Sequence, residues 1–367
     1  MAGLYIHVAF CKRKCPYCDF YSVKLTDESK TSDFTKAVIR NLKPFKNTEI
    51  ETVYFGGGTP SLLRGEDVNA ILDSIRENFI LSADAEITME INPSSASKEN
   101  LLQYKSAGVN RLSFGVQSSD DNELKALGRL HNFEEAKNAV MLAAECGFDN
   151  ISCDLMIGVV GQTEDSLKKS IDDLASLPIK HISAYMLKIE ENTPYNCDEI
   201  ISQIPDDDKM SDLYLIACEH LEQKGFMQYE VSNFAYEGFE SRHNTKYWEL
   251  DDYIGIGPSA HSFFKNVRYS CPDSIDEFVS KPFQSKLITD AEPDMIEEYI
   301  MLGLRLKKGI SVAKLNELGA NGSAVLRMAQ LLESHGYVKI NDNVISLTRE
   351  GYLVSNAVIN ELLEYAI

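Results

Sequence analysis

Short apolar runs rich in β-branched and aromatic residues alternate, over the first half of the chain, with longer stretches whose apolar positions recur at helical spacing. That alternation predicts repeated βα units, and therefore an α/β fold with a parallel sheet. Six strands are predicted: Leu4 to Val8, Thr52 to Phe55, Glu86 to Ile91, Arg111 to Val116, Asn150 to Ile157 and Lys180 to Leu187. Their spacing of roughly thirty to fifty residues suits βαβ units. Helix punctuation agrees: Ser32-Asp33 is expected to cap the first helix, Ser97-x-Glu99 to open the third and Thr163-Glu-Asp to start the fifth, while Gly108 and Gly147 end two others.

Six units are too few for a complete eight-stranded barrel, so a partial (β/α)6 TIM-type barrel is expected. Polar residues gather where the strands end, as barrel active sites require. Tyr5 and His7 precede a cysteine-rich loop, Gly56-Gly57-Gly58-Thr59 follows the second strand, Glu90 ends the third and Gln117 follows the fourth. Asp154 lies in the fifth and Tyr185 in the sixth. Each also has a plainer reading. The glycine run serves equally as a tight turn, Glu90 as a cap, and Asp154 as half of a buried pair, since a buried carboxylate needs a partner.

After the sixth strand the residues from Glu190 to Pro205 are turn-rich, and Asp206-Asp207-Asp208 reads as the acidic cap of a helix reaching about Lys224. Tyr269 to Thr289 reads as an irregular connector. From about Pro293 the pattern turns to helices followed by a short hairpin, Gly336 to Ile340 and Val344 to Leu347 around Asn341-Asp-Asn, a smaller α+β winged-helix-like C-terminal domain. That tail is slightly acidic and shows no basic stripe for DNA, so packing or partner recognition is expected of it. The expected division is a barrel over 1–235, a connecting segment over 236–292 and the C-terminal domain over 293–367.

Composition narrows the setting. The 367 residues are 44% hydrophobic, enough for a sizeable core, and no run approaches transmembrane length. With 36 Lys+Arg against 56 Asp+Glu the net charge of −20 argues against nucleic acid as a partner. An apparent strand begins within a few residues of Met1, which leaves no room for a secretion signal, and a cytoplasmic location is expected.

Three of the eight cysteines, Cys11, Cys15 and Cys18, fall within one eight-residue stretch. In a reducing compartment such spacing points to metal ligation or redox chemistry rather than a disulfide framework. Structural zinc needs four ligands, and no second Cys or His pair follows, so Asp19 or His7 would have to complete a site. An iron–sulfur cluster held by three thiolates would keep one iron open to an outside ligand, and this is the favoured reading.

The spacing Cys-x-x-x-Cys-x-x-Cys with Tyr17 before the third cysteine resembles the cluster motif of radical S-adenosylmethionine proteins. The resemblance implies a 4Fe-4S cluster on Cys11, Cys15 and Cys18 whose open iron binds the amine and carboxylate of S-adenosylmethionine, with Tyr17 beside the adenine. Tyr54-Phe-Gly-Gly-Gly-Thr-Pro-Ser, Glu90-Ile-Asn-Pro93, Arg111-Leu-Ser-Phe-Gly-Val-Gln117 and Leu127-Gly-Arg-Leu-His131 extend it, resembling the oxygen-independent coproporphyrinogen dehydrogenase superfamily. By that match Gly57, Gly58 and Thr59 lie in the loop that takes the methionyl amine. Glu90, Gln117, Arg129 and Asp154 are expected contacts to the cofactor's ribose, carboxylate or adenosine, and Tyr5 and His7 belong to the motif before the cluster. Val159-Val160 departs from the family's Leu-Pro before Gly-Gln.

His243-Asn-Thr-Lys-Tyr247-Trp248 fits the His-Asn-x-x-Tyr-Trp motif of HemW-type heme chaperones, and Asp19-Phe20 stands where the dehydrogenases carry a further cysteine. Imidazole ligates heme iron and aromatic rings offer faces to a porphyrin, so His243, Tyr247 and Trp248 are candidate heme contacts, with His243 and Tyr247 on one helical face. The plainer reading gives His243 a structural hydrogen bond and lets the two aromatics bury a seam. Gly255-Ile-Gly-Pro-Ser-Ala-His261 also resembles the family, with His261 equally a structural or a functional residue.

The implied function is a heme chaperone that holds the cluster, S-adenosylmethionine and heme and delivers heme to respiratory hemoproteins. It carries with it transient docking at a membrane, an electron donor and a homodimer. The alternative is a radical enzyme that cleaves S-adenosylmethionine reductively and decarboxylates coproporphyrinogen III.

Overall fold

The computed structural model describes residues 1–366. All six expected strands are present: β1 (Ala2–Val8), β2 (Glu49–Gly57), β3 (Ile80–Ile91), β4 (Arg111–Gln117), β5 (Asn150–Ile157) and β6 (His181–Met186). They pair in sequence order and every pair is parallel. The near-continuous apolar runs follow from this, because a parallel strand is covered on both faces and Leu4, Ile6, Val53, Phe55, Met89 and Ile151 are fully buried. Register brings Val8 beside Gly57, Phe55 beside Met89 and Ile91 beside Phe114, so the C-terminal strand ends open on one side.

Helix caps fall largely where side chains dictate. Ser97 accepts from the Asn100 N–H, Thr163 forms a capping box with Ser166, Asp206 accepts from the Lys209 N–H, and Gly108 closes its helix at φ 109°. The first helix departs from expectation: it spans Ser29–Leu42, so Ser32-Asp33 lies inside it and Glu28 precedes it.

A seventh parallel strand, Tyr253–Ile256, pairs with the free edge of β1, and antiparallel strands His261–Phe264, Val267–Ser270 and Leu287–Asp290 continue outward from it. Beyond β6, Asn233–Ala235 and Met227–Gln228 complete a twelve-stranded sheet. The expectation of an irregular connector over Tyr269 to Thr289 is therefore corrected, since that stretch holds strand residues at both ends and a helix, Ile275–Ser280. Its strands are four residues long, too short for alternation to mark them.

The C-terminal part carries helices Val312–Glu317 and Gly322–Ser334 and a three-stranded sheet of Ile310–Ser311, Val344–Leu347 and Val338–Asn341. Its hairpin turns through Asp342 and Asn343, both at positive φ, as a tight two-residue turn requires. Backbone hydrogen bonds from Val231 to Arg305 (3.0 Å) and from Lys307 to Tyr229 (3.0 Å) tie it to the barrel, and one continuous apolar core runs through both. No helix among the described residues is long and apolar enough to cross a membrane.

Candidate functional site

The cysteine loop leaves the C-terminal end of β1 and is closed at its base. Phe10–Cys11 pairs with Val23–Lys24, and the Leu25 N–H donates to the Cys11 carbonyl at 2.9 Å. Inside the loop the Cys18 N–H donates to the Cys15 carbonyl at 3.1 Å, a tight turn that folds the two cysteines back on each other. Cys11 is buried, while Cys15 and Cys18 are half-buried and all three are free. The Thr59 hydroxyl donates to the Cys11 sulfur and Arg129 Nη1 to the Cys15 sulfur, each at 3.6 Å. Burial, with Cys15 and Cys11 among the further causes, pushes the Cys18 thiol up. Among the described residues no three His, Cys, Asp or Glu side chains converge at the distance of a single ion.

The glycine run packs edge-on against this loop. A Cβ on Gly58 would stand 2.6 Å from the Phe10 carbonyl oxygen and 3.1 Å from the Cys11 sulfur. One on Gly57, already at φ 111°, would meet the His7 ring at 2.7 Å. Close approach thus accounts for both glycines beyond the needs of a turn, Gly58 to the cysteine loop and Gly57 to the His7 ring on β1. Sulfur-directed donors and a side-chain-free wall suit thiolates that carry a cluster, because hydrogen bonds to the ligating sulfurs orient and tune such a centre.

Behind the loop the barrel interior holds two carboxylates. Tyr54 donates to Glu90 at 2.9 Å and the Gly57 N–H at 3.2 Å, while Ser113 donates to Asp154 at 3.3 Å. Burial first, and Asp154 second, push the Glu90 carboxyl up to about 8. Burial pushes Asp154 up to about 6 against the opposing Ser183, Ser113, Arg111 and Arg129. Such a pair takes a proton or a cationic ligand.

Arg129 binds the Gly115 carbonyl through Nη2 at 2.5 Å and leaves its buried Nε without a partner among the described residues. Gln117, at φ 77° beyond a register shift in β4, is strained backbone for a residue with a side chain. Its amide makes no side-chain hydrogen bond among the described residues. Two buried carboxylates, the Arg129 guanidinium at the Cys15 sulfur and the Gln117 amide fit a ligand bearing an ammonium, a carboxylate and hydroxyls.

Sequence reasoning missed Arg111. It is 1% exposed, with its Nε unpartnered among the described residues, and its charge opposes both carboxylates. An arginine inside an otherwise apolar buried strand was the available signal.

The helix Arg242–Glu249 packs beneath the barrel. The Glu86 carboxylate accepts from the N–H groups of Arg242 and His243 at 3.1 and 3.0 Å, and Lys246 reaches Glu51 (2.6 Å), Asp251 (3.0 Å) and the Met1 carbonyl (2.9 Å). His243 and Tyr247 do share a face, but His243 is fully buried: Nδ1 pairs with Thr52 Oγ1 and Nε2 with the Tyr247 hydroxyl, each at 2.8 Å. Its ring stacks on Tyr54 at 5.1 Å, and burial holds its basicity down to about 3. In this arrangement neither nitrogen of His243 is open to an iron, and the plainer structural reading describes it.

A cavity of about 650 Å³ lies between the cysteine loop and this helix, lined by Tyr5, His7, Tyr17, Cys18, Tyr247 and Tyr253 together with Phe20, Tyr21, His261 and the acidic Asp19 and Glu190. Trp248 is half-buried and outside that lining. His7 is engaged at both nitrogens, by the Tyr5 hydroxyl (3.1 Å) and the Tyr21 carbonyl (2.9 Å). Beside it the segment after β6 closes over the loop: the Tyr195 N–H donates to Pro16, and its ring packs edge-on against Tyr17 at 6.0 Å. Val159, at the departure from the family pattern, is fully buried in the small apolar cluster there, and Gln162 closes its turn on the Gly158 N–H at 2.7 Å.

The Radical SAM superfamily model matches residues 5–174 and the HemN C-terminal domain model residues 291–354. A heme chaperone HemW of Bacillus subtilis strain 168 is 33% identical over 99% of this chain and 99% of its own. The chain belongs to the HemW family. A HemW of Escherichia coli K12 is 41% identical over 71% of this chain and 69% of its own. The solved structure of HemN from Escherichia coli, a coproporphyrinogen III oxidase described as a radical SAM enzyme, superposes with TM-score 0.82 over 98% of this chain and 89% of that one. At 20% identity that likeness establishes the fold. HemW membership within the radical SAM superfamily brings a 4Fe-4S cluster and S-adenosylmethionine as cofactors.

Proposed function

We propose that this protein is a cytoplasmic heme chaperone that takes heme as cargo and hands it to respiratory hemoproteins. The observation that carries this reading is the aromatic cavity beside Cys18, whose tyrosine and phenylalanine walls offer broad faces to a flat macrocycle. The HemW relatives, which are named as heme chaperones, agree with it.

Cys11, Cys15 and Cys18 would hold the cluster, which supplies an open iron for the cofactor's amine and carboxylate. Glu90 and Asp154 provide negative charge for the cationic parts of S-adenosylmethionine, Arg129 and Gln117 provide donors for its carboxylate and ribose, and Tyr17 flanks the adenine. Gly57, Gly58 and Thr59 let the backbone reach the ligand, with Tyr5 and His7 supporting the loop from β1. Tyr247 contacts the cargo, and His243 positions Tyr247. Delivery involves transient docking at a membrane, an electron donor and a homodimer.

The competing radical decarboxylase is disfavoured by Asp19 and Phe20, since the position after Cys18 carries no further thiol. One anaerobic preparation with reconstituted cluster separates the two. Hemin titration should saturate at a fixed stoichiometry, and the bound heme should pass to an apo-hemoprotein. Supplied with S-adenosylmethionine and reductant, the protein should leave coproporphyrinogen III unchanged; robust decarboxylation would overturn the chaperone reading.

A further inference from the structure

Three histidines surround or adjoin the aromatic cavity, and they differ in what their rings are free to do. His7 is bound at both nitrogens, and so is His243. His261 alone of the three is exposed, lines the cavity and has no side-chain hydrogen bond among the described residues. Neutral imidazole is a strong ligand for heme iron only when a ring nitrogen is open.

The backbone under His261 is held from both sides. It pairs with Ser270 across an antiparallel ladder, and the turn before it is closed by Ala260 N–H to Gly257 (3.2 Å) and Cys271 N–H to Ala260 (2.9 Å). The Ser262 hydroxyl accepts from the Gly255 N–H at 2.9 Å, and a Cβ on Gly255 would stand 2.2 Å from the His261 carbonyl oxygen, so this strand lies against the seventh parallel strand with no slack. A ligand on such a support meets a metal with little loss of freedom. Tyr253, Tyr247 and Tyr5 wall the same space, and Tyr247 packs edge-on against Tyr253 at 4.6 Å.

We propose that His261 is the axial ligand to the iron of a heme seated in this cavity, with the porphyrin against Tyr247, Tyr253 and the aromatic side chains of the cysteine loop. The proposal rests on the chaperone reading and names its ligand. Asp19 and Glu190 also line the cavity, and their charge would disfavour a heme propionate beside them.

The test uses the full chain with its cluster, titrated with hemin and followed by the heme Soret and visible bands, for wild type, His261→Ala and His261→Met. Wild type should give a histidine-ligated spectrum. His261→Ala should lose it and bind hemin roughly tenfold or more weakly, with added imidazole restoring the wild-type bands. His261→Met should keep binding with altered bands. Bands and affinity unchanged in both variants would assign the ligand elsewhere and leave the chaperone reading standing. Bands lost in His261→Ala without rescue by imidazole, together with a changed circular dichroism spectrum in both variants, would make the residue structural and overturn the assignment. A wild-type protein that binds no hemin would overturn both.

Discussion

Arg129 donates to the Cys15 sulfur at 3.6 Å across 114 residues of sequence, and the same guanidinium holds the Gly115 carbonyl at the bend of β4. One side chain therefore couples the cysteine loop to the strand end that carries Gln117, and its buried Nε has no partner among the described residues. Arg129→Ala should leave the iron content near that of wild type and weaken S-adenosylmethionine binding by roughly ten- to a hundredfold, the loss of a charge-assisted donor. Equilibrium binding on the reconstituted protein measures this; an unchanged affinity would remove Arg129 from the cofactor site.

Gly58 tests the fit of the loop itself. A methyl group there meets the Phe10 backbone at 2.6 Å, and backbone cannot swing aside as a side chain can. Gly58→Ala should displace Cys11, cut the iron bound per chain after reconstitution and destabilise the apo-protein by about 1–3 kcal/mol. Iron analysis and a urea melt read both effects. Full iron loading in this variant would mean the loop has room that the packing denies.

Glu90 gives a pH signature. Its carboxyl stands at about 8 in the fold against an ordinary 4.5, so between those values the folded chain keeps a proton that the unfolded chain has lost. Its contribution to stability is intact below pH 4.5 and declines as pH rises toward 8. Glu90→Gln keeps an acceptor for Tyr54 without the buried charge. Its unfolding free energy should be close to that of wild type at pH 5 and greater than that of wild type at pH 8, by on the order of a few kcal/mol at most. Saturating S-adenosylmethionine should narrow the difference, because its cationic groups stabilise the ionised carboxylate. A difference of equal size at both pH values would mean that Glu90 does not titrate in this window.

Much of this architecture was legible because its determinants are local. The six strands, the Ser97 and Thr163 caps and the cysteine loop all depend on residues within a few positions of one another. Tyr253–Ile256 was not legible: four residues with a glycine third carry no period, and only the edge of β1 makes them a strand. Tyr54 was hidden for another reason. Its role comes from register, which sets it beside Thr88 and hands its hydroxyl to Glu90 two positions further on. The family resemblance located the motif around His243 but not its surroundings, because Thr52 lies 191 residues away and no spacing rule joins them.

That last pair leads to a test of what the His243 motif does. His243 is neutral at every pH near 7, since burial and the charges of Lys246 and Arg111 hold it down to about 3. It spans from Thr52 on β2 to Tyr247 on the cavity wall, so removing it leaves a buried hydroxyl and a tyrosine without their partner. His243→Ala should destabilise the chain by about 2–4 kcal/mol. Because its nitrogens are engaged, the variant should still show histidine-ligated heme bands at saturating hemin, with affinity reduced through the loosened Tyr247. Tyr247→Phe separates the terms: it keeps the ring and removes the hydroxyl, leaving one His243 nitrogen unsatisfied at about 1–3 kcal/mol. A His243→Ala protein as stable as wild type but stripped of the histidine-ligated bands would return the axial role to His243. That result would require the helix Arg242–Glu249 to turn its buried imidazole toward the cavity when heme binds.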